Sequence, residues 1–207
     1  MIKDQSALIL IDLQNDFCSK GSLEVPDADA IIPLANRLSG CFDLVVATKD
    51  WHPKDHLCFA SNHPGKKVNE IITIGDIKQI LWPDHCIQET KGSEFHPDLN
   101  TAPINKIFYK GSNKNIDSYS AFFDNAHLSE TGLASYLHEQ GIKDVHMMGL
   151  ATDYCVKYSC LDAVRLGFNT YVIKDACRGV NLKEEDSAKA FEEMSREGVK
   201  IVNISEY

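Results

Sequence analysis

The chain has 207 residues, with 21 Lys plus Arg against 30 Asp plus Glu, a formal net charge of -9 and no basic run, which argues against nucleic acid and anionic membrane surfaces as partners. With 43% hydrophobic and 25% charged residues it is neither low in complexity nor disordered by composition. A chain of this size buries roughly 70% of its unfolded surface, enough for one globular domain over 1–207 and a site held rigidly against its core.

The first apolar run, 7–11, is cut off by Asp12, Asn15 and Asp16, too short for a signal-peptide core or a bilayer span. The 7 cysteines are odd in number, irregularly spaced and free of any CxxC, a usage that fits reduced thiols. Together these features predict a soluble, cytoplasmic protein. Self-association into a homo-oligomer is left open.

Short β-rich runs then alternate with amphipathic stretches: strand 7–11 and helix 28–38; strand 44–48; strand 107–109 and helix 133–140; strand 145–150 and helix 155–166; strand 170–173 and helix 183–197; strand 199–204. Such βαβ alternation, with continuous apolar strands, predicts a three-layer α/β/α domain with a mainly parallel sheet covered on both faces. Gly141, Gly167 and Gly198 stand where left-handed helix stops are wanted. The pattern lapses over about 49–105, which holds five of the 7 prolines, both tryptophans and five of the 8 histidines; only 76–82 looks helical there. A loop so long and so well supplied with apolar anchors is expected to be functional.

Ligands of open α/β sheets bind beyond the carboxyl ends of the strands. The residues that follow the strands are Asp12, then Asp50 with His52, then Lys110, then the turn from Ala151 to Cys155, then Asp175. Cys155 opens a helix, where the positive dipole end is expected to lower its pKa and make it a nucleophile. Cys41, Cys58, Cys86, Cys160 and Cys177 carry the ordinary reading of buried, inert thiols. Thr152 or Asp153 reads as the cap of that helix, capping being the preferred role for Asp153. No histidine neighbours Cys155, but Asp12 and Lys110 end other strands, so an Asp, Lys, Cys triad is geometrically reasonable. Taken singly, Asp12 would be read as a loop cap and Lys110 as a solvated charge.

In Asp50-Trp51-His52 a carboxylate and an imidazole at i and i+2 point to one side of an extended chain, as metal ligands must. A further ligand has to come from elsewhere, and His56, His63, His85 and His96 are all candidates. For any one of these histidines a surface position is the commoner explanation.

Taken together, these residues are recognisable. Asp12-Leu13-Gln14-Asn15-Asp16-Phe17-Cys18, Asp50-Trp51-His52-Pro53, Trp82-Pro83-Asp84-His85-Cys86, Lys110-Gly111 with Asp117-Ser118-Tyr119-Ser120-Ala121-Phe122, and Gly149-Leu150-Ala151-Thr152-Asp153-Tyr154-Cys155-Val156 run through essentially the whole chain. In this the sequence resembles the nicotinamidases (pyrazinamidases) of the isochorismatase-like hydrolases. The resemblance implies hydrolysis of nicotinamide to nicotinate and ammonia in NAD salvage, through a thioester on Cys155, with Asp12 as proton carrier and Lys110 as charge stabiliser. It implies an oxyanion hole from the N–H groups of Ala151 and Cys155, and a cis peptide between Leu150 and Ala151. It assigns Asp50, His52 and His85 to one divalent ion, zinc first with iron or manganese as alternatives, which holds the pyridine nitrogen. His56 and Ser61 lie where some relatives add a contact to that ion. Phe17, Trp82 and Tyr119 match the walls of the aromatic pocket.

Three other readings compete. A related cysteine amidase acting on another amide or carbamoyl group would generally lack the metal motif. A hydrolase with metal-activated water would leave Cys155 structural. A binding protein without catalysis would have no need of all three triad groups.

Overall fold

The structure, a computed structural model, describes residues 5–207. Its elements in chain order are β1 (Ser6–Ile11), α1 (Ile32–Ser39), β2 (Leu44–Asp50), β3 (Ile71–Ile74), β4 (Ile77–Ile80), β5 (Lys106–Lys110), α2 (Leu133–Glu139), β6 (Asp144–Leu150), α3 (Lys157–Arg165), β7 (Asn169–Arg178), α4 (Asp186–Arg196) and β8 (Lys200–Val202). Six strands form one sheet in the order β5-β2-β1-β6-β7-β8, with every pairing parallel. Every residue of the central strand β1 is buried, so both faces of the sheet are covered, as its unbroken apolar run predicts. No helix among the described residues is long and apolar enough to cross a membrane.

The order reverses at the middle of the sheet. From β1 the chain first builds outward through β2 and β5, and later through β6, β7 and β8 on the other side. The carboxyl ends of β1, β2, β5 and β6 therefore converge at one switch point, where a crevice is left between connections that part in opposite directions. Asp50 and Lys110 are direct partners in the β2–β5 register, and Ile11 pairs with Gly149 across β1–β6. Residues 60 and 138 positions apart thus become neighbours.

Helix stops fall as expected: Gly141, Gly167 and Gly198 have φ of 70°, 88° and 99°. All seven cysteines are free thiols. Four expectations need correction. The stretch 76–82, expected to be helical, instead belongs in part to an antiparallel hairpin of β3 and β4. Its isoleucines are β-branched, and Gly75 supplies the positive φ of 59° that the tight turn requires. The stretch 28–38 is one turn of tighter helix over Ala28–Ile31 before α1 begins. The strand expected over 170–173 continues to Arg178 as β7. Its register against β6 slips between Met147 and Gly149, so Asp175 does not end a strand at the site; its Oδ1 accepts the Ile204 N–H at 2.9 Å, away from the other polar groups. Strand 199–204 shortens to β8, because Asn203 and Glu206 cap a final turn.

Candidate active site

Asp12 directly follows β1 in the left-handed region, with φ of 51°, a conformation that Asp tolerates better than most residues. The turn carries its carboxylate into the protein, where Thr48 Oγ1 donates to Oδ1 at 2.6 Å and Lys110 Nζ lies 2.9 Å from Oδ2. Burial pushes the Asp12 carboxyl above its ordinary value; Lys110 opposes the rise and Asp50 adds to it. A carboxylate so placed is a stronger base than one in water.

Lys110, at the end of β5, is enclosed, with its side chain fully buried. Its ammonium is ion-paired with Asp12 and with Asp50 Oδ1, donates to the Ser118 carbonyl at 3.0 Å, and stands 3.4 Å from Cys155 Sγ. Burial disfavours the charge, but Asp12 and Asp50 outweigh it and hold Lys110 protonated well above the usual lysine range. The grouping of Asp12, Asp50 and Cys155 has the form of a cation site. The cation it holds is Lys110.

Cys155 lies in an irregular turn, Thr152–Val156, ahead of α3, where the Val156 N–H reaches back five residues to the Ala151 carbonyl at 3.1 Å. Single turns of this wide type are frequent at functional sites. Ser159 locks the turn, donating to the Cys155 carbonyl at 2.6 Å while accepting the Ala121 N–H at 2.8 Å. The peptide between Leu150 and Ala151 is cis. The expectation of a lowered thiol pKa does not hold in this state: burial pushes Cys155 well above the ordinary value, Lys110 pulls it down, and Asp12 and Asp50 push it up again. The thiol rests protonated beside a base. Burial also raises Cys58, Cys86, Cys160 and Cys177, so burial distinguishes none of them; the ammonium 3.4 Å away is what sets Cys155 apart.

Beside the triad stand Asp50, His52 and His85, all buried, with Asp50 Oδ2 at 3.6 Å from His52 Nε2 and 3.7 Å from His85 Nε2. The Nδ1 atoms of the two rings face carbonyl oxygens, Gly111 at 2.9 Å and Pro83 at 2.8 Å. A carbonyl only accepts, so each Nδ1 carries the proton and each Nε2 keeps its lone pair, the tautomer a metal ligand needs. His52 Nε2 is buried with no hydrogen-bond partner among the described residues. Gly111, at φ 67°, is required here: a Cβ at that position would collide with the His52 ring. One hard oxygen and two imidazole nitrogens fit a divalent ion such as zinc, iron or manganese.

The two constellations meet at one pocket, lined by Phe17, Trp82, His85, Tyr119, Ala151 and Cys155 among others. All three expected wall residues are present, and Trp82 Nε1 donates to the Tyr119 hydroxyl at 3.2 Å. Other candidates lie outside it. His63 bonds to the Leu57 carbonyl at 2.8 Å, His96 faces Asp29 at 4.0 Å, and Ser61 donates to Asp84 at 2.5 Å. Asp153 caps nothing: its carboxylate accepts the N–H groups of Val180 and Asn181 at 2.9 and 2.8 Å, tying the segment after β7 to the cysteine turn.

Several contributors escape a reading of the sequence. Gln14 brackets Asp50, accepting its N–H at 2.8 Å and donating to its carbonyl at 2.8 Å. Thr48 orients Asp12, Ser159 orients Cys155, and Tyr154 and Val180 complete the cavity wall. The available signal was proximity: Gln14 lies two residues from Asp12, Thr48 two from Asp50, and Tyr154 beside Cys155.

The isochorismatase domain family matches residues 6–206. The chain belongs to this family. It is 45% identical over 205 residues to the nicotinamidase of Escherichia coli (strain K12), covering 97% of this chain and 96% of that one. Its fold superposes on a nicotinamidase/pyrazinamidase structure from Acinetobacter baumanii with a TM-score of 0.96 at 48% identity, covering 99% and 98% of the two chains. A pyrazinamidase of Pyrococcus horikoshii, solved in complex with zinc, matches with a TM-score of 0.79 at 37% identity, covering 96% and 99%.

Proposed function

We propose that this protein is a nicotinamidase that hydrolyses nicotinamide to nicotinate and ammonia and also accepts pyrazinamide, acting in the cytoplasm in NAD salvage. The whole chain, 1–207, serves as one catalytic domain, with the loop-rich segment at about 49–105 supplying ion and pocket groups. The carrying observation is the shared cavity: Cys155, with Lys110 and Asp12 behind it, opens into the same aromatic-walled space as His85 and Asp50.

In the mechanism this geometry supports, Asp12 accepts the Cys155 thiol proton as Sγ attacks the carboxamide carbon. Lys110 holds both charges, offsetting the carboxylate at rest and the thiolate as it forms. The backbone N–H groups of Ala151 and Cys155 serve the developing oxyanion, a role worth on the order of a hundredfold or more per donor. Asp12 then returns the proton to the departing nitrogen, ammonia leaves, and a thioester to Cys155 remains. Water attacks that thioester while Asp12 takes a proton from the water and passes it to the departing sulfur; the acid leaves and ionises to nicotinate, and the thiol is restored. Phe17, Trp82 and Tyr119 hold the flat ring and exclude water from it. Asp50, His52 and His85 would hold the divalent ion, zinc by preference, whose chemistry when bound is to accept the pyridine nitrogen and so position the ring.

Ammonia release from nicotinamide by the purified protein, run beside Cys155→Ala with bound metal quantified on both, tests this reading. Release by the parent and silence from the variant is the expected result. Activity in both would point to metal-activated water, and silence from both with metal bound would remove nicotinamide as the substrate.

A further inference from the structure

Next to His52, outside the triad, His52, His56, Cys58 and Asp117 each bring one potential ligand atom within 4.8 Å of the others, and all four residues are buried. On residue type alone this is a second place for an ion, or a place where His56 adds itself to the first. The hydrogen bonds say otherwise. The Cys58 backbone N–H, which can only donate, points at His56 Nδ1 at 3.0 Å. Nδ1 therefore carries the lone pair and the ring proton sits on Nε2, the reverse of the arrangement at His52 and His85, whose Nδ1 atoms face carbonyls. An Nε2–H cannot ligate an ion.

That N–H is nonetheless placed for a purpose. His56 is 0% exposed, its Nε2 has no acceptor among the described residues, and its ring centroid lies 4.5 Å from that of the ligand His52. Asp117 is engaged elsewhere, accepting the Ser118 N–H at 2.8 Å and the Gln79 side-chain amide at 3.1 Å. A buried donor beside a metal ligand calls for an oxygen acceptor.

We propose that His56 is a positioning residue that stays outside the coordination shell and donates its Nε2–H to a water bound on the ion of the Asp50, His52 and His85 site. The inference rests on the divalent-ion reading above and deepens it. The protein then contributes three ligands, and the Cys58 sulfur takes no part. His56 acts as outer-shell donors do, holding an oxygen ligand in place and strengthening retention of the ion.

X-ray absorption on the zinc-loaded protein, with zinc affinity measured on wild type, His56→Phe and His56→Gln, tests the assignment. The expected wild-type spectrum contains two imidazoles with the remaining ligands oxygen, and no sulfur at about 2.3 Å. Removing the donor in His56→Phe should leave the imidazole count at two and weaken zinc binding roughly 10- to 100-fold, while His56→Gln, which keeps an N–H donor, restores much of it. Three imidazoles or a sulfur in the wild-type spectrum would overturn the proposal without recourse to any variant, as would unchanged zinc affinity in His56→Phe. If the wild type bound no zinc, iron or manganese at all, the divalent-ion reading itself would fall; bound zinc with three imidazoles would sink only the role given to His56.

Discussion

Asp50 divides its two oxygens between the two halves of the site: Oδ1 is ion-paired with the Lys110 ammonium, and Oδ2 faces His52 Nε2 and His85 Nε2 at 3.6 and 3.7 Å. One carboxylate is therefore both a candidate ligand and a counter-charge of the buried Lys110 ammonium. With Asp12 on the other side of Lys110, two carboxylates and one ammonium make a buried cluster whose stability depends on all three.

Removing the cation from that cluster should be costly. Lys110→Met leaves Asp12 and Asp50 as uncompensated buried like charges, and a loss of about 3–5 kcal/mol in unfolding free energy is expected. Urea titration at neutral pH measures it. An undiminished midpoint would mean that the cluster does not carry its charges in the folded state.

The proposed mechanism has Cys155 and Asp12 acting in the same step, so their losses should not add. Cys155→Ala and Asp12→Asn are each expected to lower kcat for ammonia release by at least about a thousandfold, with the double variant no worse than the poorer single one. Additive losses would separate the two residues into independent roles.

The resting protonation of the site sets a pH dependence. Asp12 must be unprotonated to accept the thiol proton, and burial raises its pKa above the ordinary 3.8, so the acid limb of kcat/KM should lie above that value. Thr48→Val deletes a hydrogen bond that favours the carboxylate and should move the limb higher still. A limb that moves down, or not at all, would take Asp12 out of the role of base.

In the proposed mechanism ring positioning and nucleophile activation share only Asp50 and otherwise rest on different side chains, so chelation should affect them unequally. Treatment with a chelator is expected to raise KM for nicotinamide more than it slows iodoacetamide labelling of Cys155, because Lys110 and Asp12 remain against the sulfur. Rates of labelling and turnover on the same samples decide the matter, and their loss in parallel would contradict the division.

His146, buried between Phe42 and Tyr171 and bonded to the Tyr207 hydroxyl at 2.5 Å, has its pKa pushed down by burial to about 4. The unfolded chain binds this proton near the ordinary 6.5, so the folded form loses stability as pH falls from about 6.5 to about 4, by up to roughly 3 kcal/mol from this residue. His146→Phe should flatten that part of the curve in unfolding measurements at pH 7, 5 and 4. An equal slope in both proteins would assign the acid sensitivity to other groups.

Much of this molecule was legible before any coordinates. Continuous apolar strands, helix-stop glycines and the reactive residues after successive strands point to a parallel sheet with a site along one edge, because burial on two faces and the geometry of strand ends leave their mark in local composition. The identities of Asp12, Asp50, His52, His85, Lys110 and Cys155 were readable as residue types in ordered motifs. Local pattern misread 76–82, where β-branched residues around Gly75 form a hairpin, and Asp175, where a slip in pairing lengthened β7.

What only the tertiary structure decided is which groups face one another and in what protonation state. Sequence position suggests a thiol activated by a helix end; enclosure beside two carboxylates leaves it protonated with a base in reach, because desolvation outweighs the pull of the Lys110 ammonium once water is excluded. Four histidines were candidate third ligands by composition. The carbonyls of Gly111 and Pro83 and the N–H of Cys58, contributed by distant or irregular backbone, fix which ring nitrogens keep a lone pair, and so separate His52 and His85 from His56. Residue type is written in the chain, but a tautomer is set by the partner that folding places opposite it.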